Sequence, residues 1–125
     1  MGLVLLDSSV LIALLNPQDL HHQSAIDSFT PQDSYLASAL SLTEILPRAI
    51  SAKREDDFWH HLGPLLRTIV PVDRQIATRA ARIRVSAGLK TPDAIISASA
   101  LEAQAQLWTF DARLAKATKG ARLLA

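Results

Sequence analysis

Short apolar runs alternate with longer stretches of helical periodicity along this chain. Residues 3–6, LVLL, are continuously apolar, and such a run predicts a strand that is buried on both faces. Apolar side chains then recur at helical spacing from residue 7 to 15, until Asn16 and Pro17 end the pattern. The alternation continues to the last residues, which predicts strands and helices in turn.

Five strands and seven helices are predicted in this way. The strands cover residues 3–6, 35–39, 68–72, 107–109 and 122–124, and the helices cover about 7–15, 19–29, 41–53, 56–66, 74–87, 91–103 and 111–117. Strands that alternate with helices favour right-handed crossovers and a parallel sheet with helices on both faces. We therefore expect a three-layer α/β/α fold with a central parallel sheet of four to five strands, in a single domain over residues 1–125.

Several residues predict where these elements start and stop. Asp19 and Asp73 are placed to cap the second and fifth helices, and Gly88 is placed to end the fifth. Pro71 favours an edge position or a strand end for the third strand. Pro47 lies inside the third helix, where we expect it to cause a kink.

Composition excludes several classes of protein. The chain has no cysteine, which rules out disulfides, thiolate zinc sites and cysteine nucleophiles and fits a reducing cytoplasm. Hydrophobic residues make up 49% of the sequence, which argues against global disorder. Uncharged stretches are too short to span a bilayer, and the first residues lack the basic segment of a signal peptide. We therefore expect a cytoplasmic protein without a membrane segment.

Charge is distributed unevenly between the two halves of the chain. Residues 1–62 contain 3 Lys/Arg and 8 Asp/Glu, a net charge of −5, whereas residues 63–125 contain 10 and 4, a net charge of +6. A basic half beside an acidic cleft suits a polyanion held near metal ions. Ordinary solvated helix faces explain the same distribution equally well.

Four carboxylates occupy related places in this pattern, each at the end of a predicted strand or near the start of the following helix. They are Asp7, Glu44, Asp93 and Asp111. In a parallel sheet such positions meet at the carboxyl edge, where ligands bind. Four negative charges in one cleft repel one another unless a cation lies among them, so the pattern indicates a divalent metal site.

Each of these acids also has a purely structural interpretation. Asp7, Asp93 and Asp111 fit the caps or first turns of helices, where a carboxylate interacts with free backbone N–H groups. Glu44 follows Ser41 by three residues, which is the spacing of a capping box, and Thr91 is placed to cap the helix that carries Asp93.

Other catalytic patterns do not occur in the sequence. The histidines form two adjacent pairs, His21 with His22 and His60 with His61, and neighbours in sequence diverge on a helix. The chain contains no His-Glu-x-x-His motif, no Gly-rich phosphate loop and no Gly-x-Ser-x-Gly nucleophile elbow.

Three segments match a known family in order and spacing: LLDSSVLIALL at residues 5–15, LSLTEIL at 40–46 and GLKTPDAIISASALEAQAQLWTFDARLA at 88–115. On these motifs the chain resembles the PIN-domain ribonucleases, in particular the VapC-type toxins of toxin–antitoxin pairs. The resemblance covers nearly the whole chain. Pro47, shortly after Glu44, departs from the family pattern and is expected to affect that helix.

The resemblance implies an endoribonuclease that depends on one or two Mg²⁺ or Mn²⁺ ions. It also implies an RNA substrate, a homodimer and an antitoxin protein whose segment occupies the acidic cleft. The family's catalytic and metal-binding roles carry over to Asp7, Glu44, Asp93 and Asp111, with supporting hydroxyls from Ser9 and Thr109. From the basic half of the chain, the candidates to hold the RNA backbone are Arg79, Arg82, Lys90 and Arg113.

Two other functions remain open at this point. The first is a non-catalytic interaction module of the same fold, in which the acids only cap helices. The second is a metal phosphatase of the doubly wound class, but the residues after the first strand are Asp7-Ser8-Ser9 and lack the Asp-x-Asp-x-Thr pattern. Divalent-ion binding separates a nuclease from an interaction module.

Overall fold

A five-stranded, all-parallel sheet forms the centre of the protein. The computed structural model describes residues 2–125. Its strands are β1 (Leu3–Leu6), β2 (Ser34–Ser38), β3 (Thr68–Val70), β4 (Gln106–Thr109) and β5 (Arg122–Leu123). Their order is β3-β2-β1-β4-β5, and every neighbouring pair is parallel. The predicted parallel α/β architecture is confirmed.

Seven helices connect these strands. They are α1 (Ser8–Leu15), α2 (His22–Ser28), α3 (Ala39–Ser51), α4 (Glu55–Leu62), α5 (Arg74–Ala87), α6 (Thr91–Glu102) and α7 (Ala112–Ala117). A single 3₁₀ turn, Gly63–Leu65, follows α4. None of the helices within residues 2–125 has the length and apolar content needed to cross a membrane.

The core lies on both faces of the sheet, because β1 and β4 alternate their apolar side chains between two layers. Leu5 and Leu107 belong to the cluster that includes residues of α5, α6 and α7. Leu6 and Trp108 belong to the other cluster, with residues of α1, α3 and α4. This arrangement explains why LVLL contains no polar residue: a strand buried on both faces has no solvent-facing side.

Several predicted boundaries are confirmed by the local geometry. The Asp73 carboxylate accepts the Ile76 backbone N–H at 2.9 Å and caps α5. Gly88 follows α5 with φ +67°, a left-handed conformation that glycine adopts without a steric penalty. The strand β3 lies at an edge of the sheet and ends directly before Pro71, as expected for a residue that cannot donate to the ladder.

Other boundaries differ from the sequence prediction. Helix α2 begins at His22 instead of residue 19, because the Asp19 carboxylate accepts the His21 N–H at 2.9 Å and closes the turn before the helix. Helix α4 ends at Leu62 and continues as a 3₁₀ turn. In α6 the cap position belongs to Lys90, so Thr91 is the first helical residue and does not cap.

The start of helix α3 differs from the prediction in the way that most affects the four acids. The helix begins at Ala39 rather than at residue 41, and Ser38 is its N-cap, with its hydroxyl accepting the Leu40 N–H at 3.1 Å. The helix continues through Pro47 without interruption. Proline has no N–H, so the carbonyl of Thr43 lacks its usual partner one turn later.

Candidate active site

The four acids lie where the topology was expected to place them, at the carboxyl edge of the central strands. Asp7 directly follows β1, and Asp111 lies two residues beyond β4. Asp93 lies in the first turn of α6, and Glu44 lies in the second turn of α3. Because β1 and β4 are neighbours in the sheet, the acids that follow them project from adjacent strand ends.

Asp7 is the most enclosed of the four, with 6% of its surface exposed. One carboxylate oxygen accepts the Ser9 hydroxyl at 2.5 Å and the Val10 N–H at 3.0 Å, and the other accepts the Thr109 hydroxyl. The Val10 bond caps α1, as the structural interpretation predicted. All of these contacts come from neutral donors, so no cation in the chain is hydrogen-bonded to this carboxylate among the described residues.

Burial raises the pKa of Asp7 above its ordinary value, and the hydrogen bonds from Ser9, Thr109 and Val10 lower it in part. Removing a carboxylate from water disfavours its charged form, whereas donors to the carboxylate favour it. The net increase means that the ionised carboxylate lacks full compensation. A cation bound beside Asp7 would provide that compensation.

The two supporting hydroxyls also connect Asp7 to the segment after β4. The Phe110 N–H donates to the Ser9 oxygen at 3.2 Å, and the Asp111 N–H donates to the Thr109 oxygen at 2.9 Å. Each hydroxyl therefore accepts a backbone N–H from the β4–α7 connection and donates its own proton to Asp7. This arrangement fixes the position of Asp111 relative to Asp7.

Asp111 caps α7 and retains a free oxygen. Its Oδ1 accepts the Arg113 and Leu114 backbone N–H groups at 2.9 and 3.3 Å. Its Oδ2 has no hydrogen-bond donor among residues 2–125. A capping role and a ligand role are therefore compatible for this exposed carboxylate.

Asp93 has no capping role. The cap of α6 makes no side-chain hydrogen bond, and within the described part of the chain no donor bonds the half-buried Asp93 carboxylate. Burial raises its pKa, and the charges of Asp111 and Glu44 raise it further, while Lys90 and Arg113 lower it. Two other carboxylates of the quartet therefore lie close enough to act on Asp93 electrostatically.

The capping-box interpretation of Glu44 is wrong. Ser38, not Ser41, caps α3, so Glu44 lies beyond the first turn and cannot bond back to the cap. Its exposed carboxylate accepts the Ser8 hydroxyl at 2.6 Å. Ser8 is the first residue of α1, so this bond joins Glu44 to the residue next to Asp7.

The donor set fits a hard divalent cation, although it does not enclose one. Carboxylate and hydroxyl oxygens are the ligands of Mg²⁺ and Mn²⁺, and the half-buried Asp93 carboxylate accepts no hydrogen bond from residues 2–125. No group of three or more His, Cys, Asp or Glu side chains within residues 2–125 is arranged closely enough to hold an ion by itself. Mg²⁺ commonly uses one or two carboxylates together with water and substrate phosphate, and this site can offer that number.

Two of the four basic residues predicted to hold RNA lie beside the acids. Lys90 and Arg113 both act on the pKa of Asp93, and the Arg113 guanidinium donates to the Gly88 carbonyl at 3.3 Å. Arg79 instead pairs with Glu102 at 3.0 Å, at the other end of α6 from Asp93. Arg82 is exposed on α5, and nothing in the described residues connects it to the acids.

Two contacts of the site were not predicted from sequence. Ser8 was passed over because its partner lies 36 residues away and no local pattern reveals such a pairing. The other contact is the His21 ring, which stacks on Phe110 with 4.3 Å between the ring centroids. Phe110 lies between Thr109 and Asp111, so the turn before α2 covers this side of the site.

A groove begins beside Glu44 and has a volume of about 520 Å³. Residues of α1, α3 and α4 and of the segments that follow α1 and α3 line it, namely Ile12, Leu15, Asn16, Glu44, Ile45, Arg48, Ala49, Ala52, Arg54, Asp57, Phe58 and His61. Its lining combines apolar side chains with charged ones of both signs, and is therefore suited to a chain segment with both apolar and polar side chains.

The sequence model described as "PIN domain" matches residues 4–120 of this chain. Solved structures agree with that match. A toxin–antitoxin complex from Klebsiella pneumoniae contains a chain with 25% identity and a TM-score of 0.78, and the match covers 95% of both chains.

Two further solved structures share the fold at lower identity. FitAcB from Neisseria gonorrhoeae has 24% identity and a TM-score of 0.74 over 96% of both chains. VapC20 from Mycobacterium tuberculosis, described as a toxin that cleaves the sarcin-ricin loop, has 21% identity and a TM-score of 0.73, with coverage of 95% of this chain and 98% of that one. No curated protein matches the chain in sequence.

Proposed function

The chain belongs to the PIN domain family, and from this premise we propose that it is a metal-dependent endoribonuclease and the toxin of a type II toxin–antitoxin pair. The proposal rests mainly on the surroundings of Asp93. This residue is a half-buried carboxylate with no hydrogen-bond donor in the described residues, and the charges of Asp111 and Glu44 act on it. A bound cation would offset both the burial of this carboxylate and the repulsion from its neighbours.

The rival interpretation, an interaction module whose acids only cap helices, accounts for half of the quartet. Asp7 and Asp111 do cap α1 and α7. Glu44 and Asp93 cap nothing, because Ser38 caps α3 and the cap of α6 has no side-chain bond. Capping hydrogen bonds therefore explain only Asp7 and Asp111, and this favours the nuclease.

We assign the metal ligands to the same four acids. Asp93, Asp111 and Glu44 would share the ion or ions, with Asp7 contributing through the oxygen that Thr109 now contacts. A divalent ion bound there supplies phosphodiester hydrolysis with a lowered pKa for water and with positive charge near the phosphoryl oxygens. Mg²⁺ and Mn²⁺ suit this oxygen donor set equally.

The protein's own groups would position the reactants. Ser9 and Thr109 hold the Asp7 carboxylate and the start of α7 in one rigid arrangement. Lys90 and Arg113 lie at the rim of the acids and would contact the RNA phosphates on either side of the scissile bond. Hydrolysis by in-line attack of water would leave a 5′-phosphate and a 3′-hydroxyl, and no side-chain nucleophile takes part.

The partners follow from the relatives and from the groove. The Klebsiella protein at 25% identity is part of a toxin–antitoxin complex. We propose that an antitoxin segment occupies the groove beside Glu44, with apolar side chains against Ile12, Ile45 and Phe58. We also expect a homodimer, which light scattering would test, and a cytoplasmic location, where the RNA is.

RNA cleavage by purified protein tests the proposed function. Incubation with total RNA should give discrete fragments in Mn²⁺ or Mg²⁺ and none in EDTA. The Asp93→Asn variant should lose cleavage while it keeps its fold. Asp56→Asn is the matched control, because it removes the same charge from an exposed position in the first turn of α4. Full activity of Asp93→Asn, or cleavage that persists in EDTA, would exclude the assignment.

A further inference from the structure

Glu44 has the longest side chain of the four acids and is held by a single hydrogen bond among residues 2–125. Its side chain is exposed, it lies beyond the capped turn of α3, and its one hydrogen bond among the described residues comes from Ser8. A glutamate has three rotatable side-chain bonds, so without a partner its carboxylate would sample many positions. The bond from Ser8 spans 36 residues of sequence and joins the start of α1 to α3.

Competing partners for this carboxylate lie in the groove. Arg48 follows Glu44 by one helical turn, and a glutamate four residues before a cation is the favoured orientation for an ion pair on a helix. Arg54 lines the same groove. Among residues 2–125, however, Glu44 forms no ion pair with Arg48, and Arg54 pairs with Asp57 at 3.0 Å.

The position of Ser8 accounts for the bond of Glu44 to Ser8 rather than to Arg48. Ser8 is the first helical residue after Asp7, and the Asp7–Val10 bond fixes that turn. The Ser8 hydroxyl is therefore held at the edge of the acidic site. This hydroxyl donates to the Glu44 carboxylate at 2.6 Å, whereas neither Arg48 nor Arg54 pairs with that carboxylate among residues 2–125.

We propose that Ser8 is a positioning residue that keeps the Glu44 carboxylate directed toward Asp93 and Asp111 and prevents its pairing with Arg48. The inference rests on the proposed function, because the position of Glu44 matters only if the acids bind a metal. It adds a third supporting hydroxyl to those of Ser9 and Thr109. It also implies that Arg48 competes with Ser8 for the Glu44 carboxylate.

Calorimetric titration with Mn²⁺ and steady-state RNA cleavage kinetics test this role. Ser8→Ala should weaken Mn²⁺ binding and lower kcat by about 10-fold, the lower end of the range for residues that orient metal ligands. KM for RNA should stay nearly constant, since the proposed role of Ser8 acts through Glu44 and not through the substrate. Ser8→Thr keeps the hydroxyl and should restore both properties. The double variant Ser8→Ala, Arg48→Gln should recover part of the loss, because Arg48 no longer attracts Glu44.

The outcomes separate this inference from the proposed function. Ser51→Ala removes an exposed hydroxyl at the far end of α3 and serves as the control, with unchanged Mn²⁺ affinity expected. Wild-type Mn²⁺ affinity in Ser8→Ala, or no recovery in the double variant, would overturn the role of Ser8 alone. A wild-type protein that neither binds Mn²⁺ nor cleaves RNA would overturn the proposed function, and this inference with it.

Discussion

Replacing Asp7 separates its structural task from its chemical one. Asp7→Asn keeps an oxygen that can accept the Val10 N–H and an amide that can donate to Thr109, whereas Asp7→Ala keeps neither. Both variants remove the carboxylate charge. The difference between the two variants therefore measures the hydrogen bonds, and the difference between either variant and the wild type includes the charge.

The structure provides the magnitude of that difference. Loss of the α1 cap costs about 1 kcal/mol. The Thr109 hydroxyl proton loses its acceptor in both variants, so that cost cancels from the comparison. The Asn amide can still donate to the oxygen of the fully buried Thr109 hydroxyl, a hydrogen bond worth about 0.5–1.5 kcal/mol that Ala cannot make. Asp7→Ala should therefore be less stable than Asp7→Asn by about 1.5–2.5 kcal/mol, or roughly 5–12 °C in Tm at about 3–5 °C per kcal/mol for a chain of this size.

The charge makes the stability of the wild type depend on pH. Because the pKa of Asp7 is raised in the folded state, the group contributes stability that is fully present below its unfolded pKa of about 3.9. That stability is lost as the pH rises through the folded pKa. Asp7→Asn does not titrate, so its advantage over the wild type should grow from pH 4 upward and then level off.

Thermal unfolding by circular dichroism in EDTA, at pH 4 and pH 7, measures both effects. Both variants should also fail to cleave RNA. Equal stability of Asp7→Ala and Asp7→Asn would show that the carboxylate does not hold Thr109 and α1. A gap between the wild type and Asp7→Asn that is the same at both pH values would refute the cost of burying the charge.

Two further predictions concern the metal and the RNA. Mn²⁺ at 100 times its Kd should stabilise the wild type by about 2.7 kcal/mol, which raises Tm by roughly 8–13 °C. Asp93→Asn should lose most of this increase in Tm. An equal increase in Tm for the wild type and Asp93→Asn would show that Asp93 is not a metal ligand. Arg113→Ala should raise KM and reduce the slope of log KM against log salt by about 0.7, the value for one phosphate contact on a single strand. Arg67→Ala is the control, since Arg67 is exposed and precedes β3 at the opposite edge of the sheet. A slope of log KM against log salt that is the same in Arg113→Ala and Arg67→Ala would contradict the phosphate contact.

The sequence sufficed for the sheet and for the region of the site because both depend on short-range patterns. An apolar run such as LVLL has to be buried on both faces, and an acid directly after it has to lie at the carboxyl edge. Asp7 and Asp111 were therefore placed correctly, including their caps. Asp73 and Gly88 were predicted for the same reason, since capping chemistry acts over three or four residues.

The errors arose where two local signals competed. Ser38 and Ser41 both suit the start of α3, and Ser41 also completes a capping box with Glu44. The structure uses Ser38, because β2 ends there and the chain enters the helix at once. The choice between the two caps therefore depends on where β2 ends. A sequence pattern locates the end of a strand only to within a residue or two.

The contacts between distant residues could not be predicted at all. The Ser8–Glu44 bond, the Phe110–Ser9 bond and the Thr109–Asp7 bond depend on how α1, α3 and β4 pack. Such packing leaves no periodic trace in the sequence. The family resemblance named Ser9 and Thr109 but not Ser8.

Mapping of RNA ends tests the central claim most directly. Total RNA is incubated with the purified protein in Mn²⁺ or in EDTA, and the new 5′-phosphate ends are sequenced. Discrete new ends that require Mn²⁺ and disappear with Asp93→Asn are the predicted result. The same ends in EDTA, ends that carry a 5′-hydroxyl, or no new ends in Mn²⁺ would contradict a metal-dependent ribonuclease built on these four carboxylates.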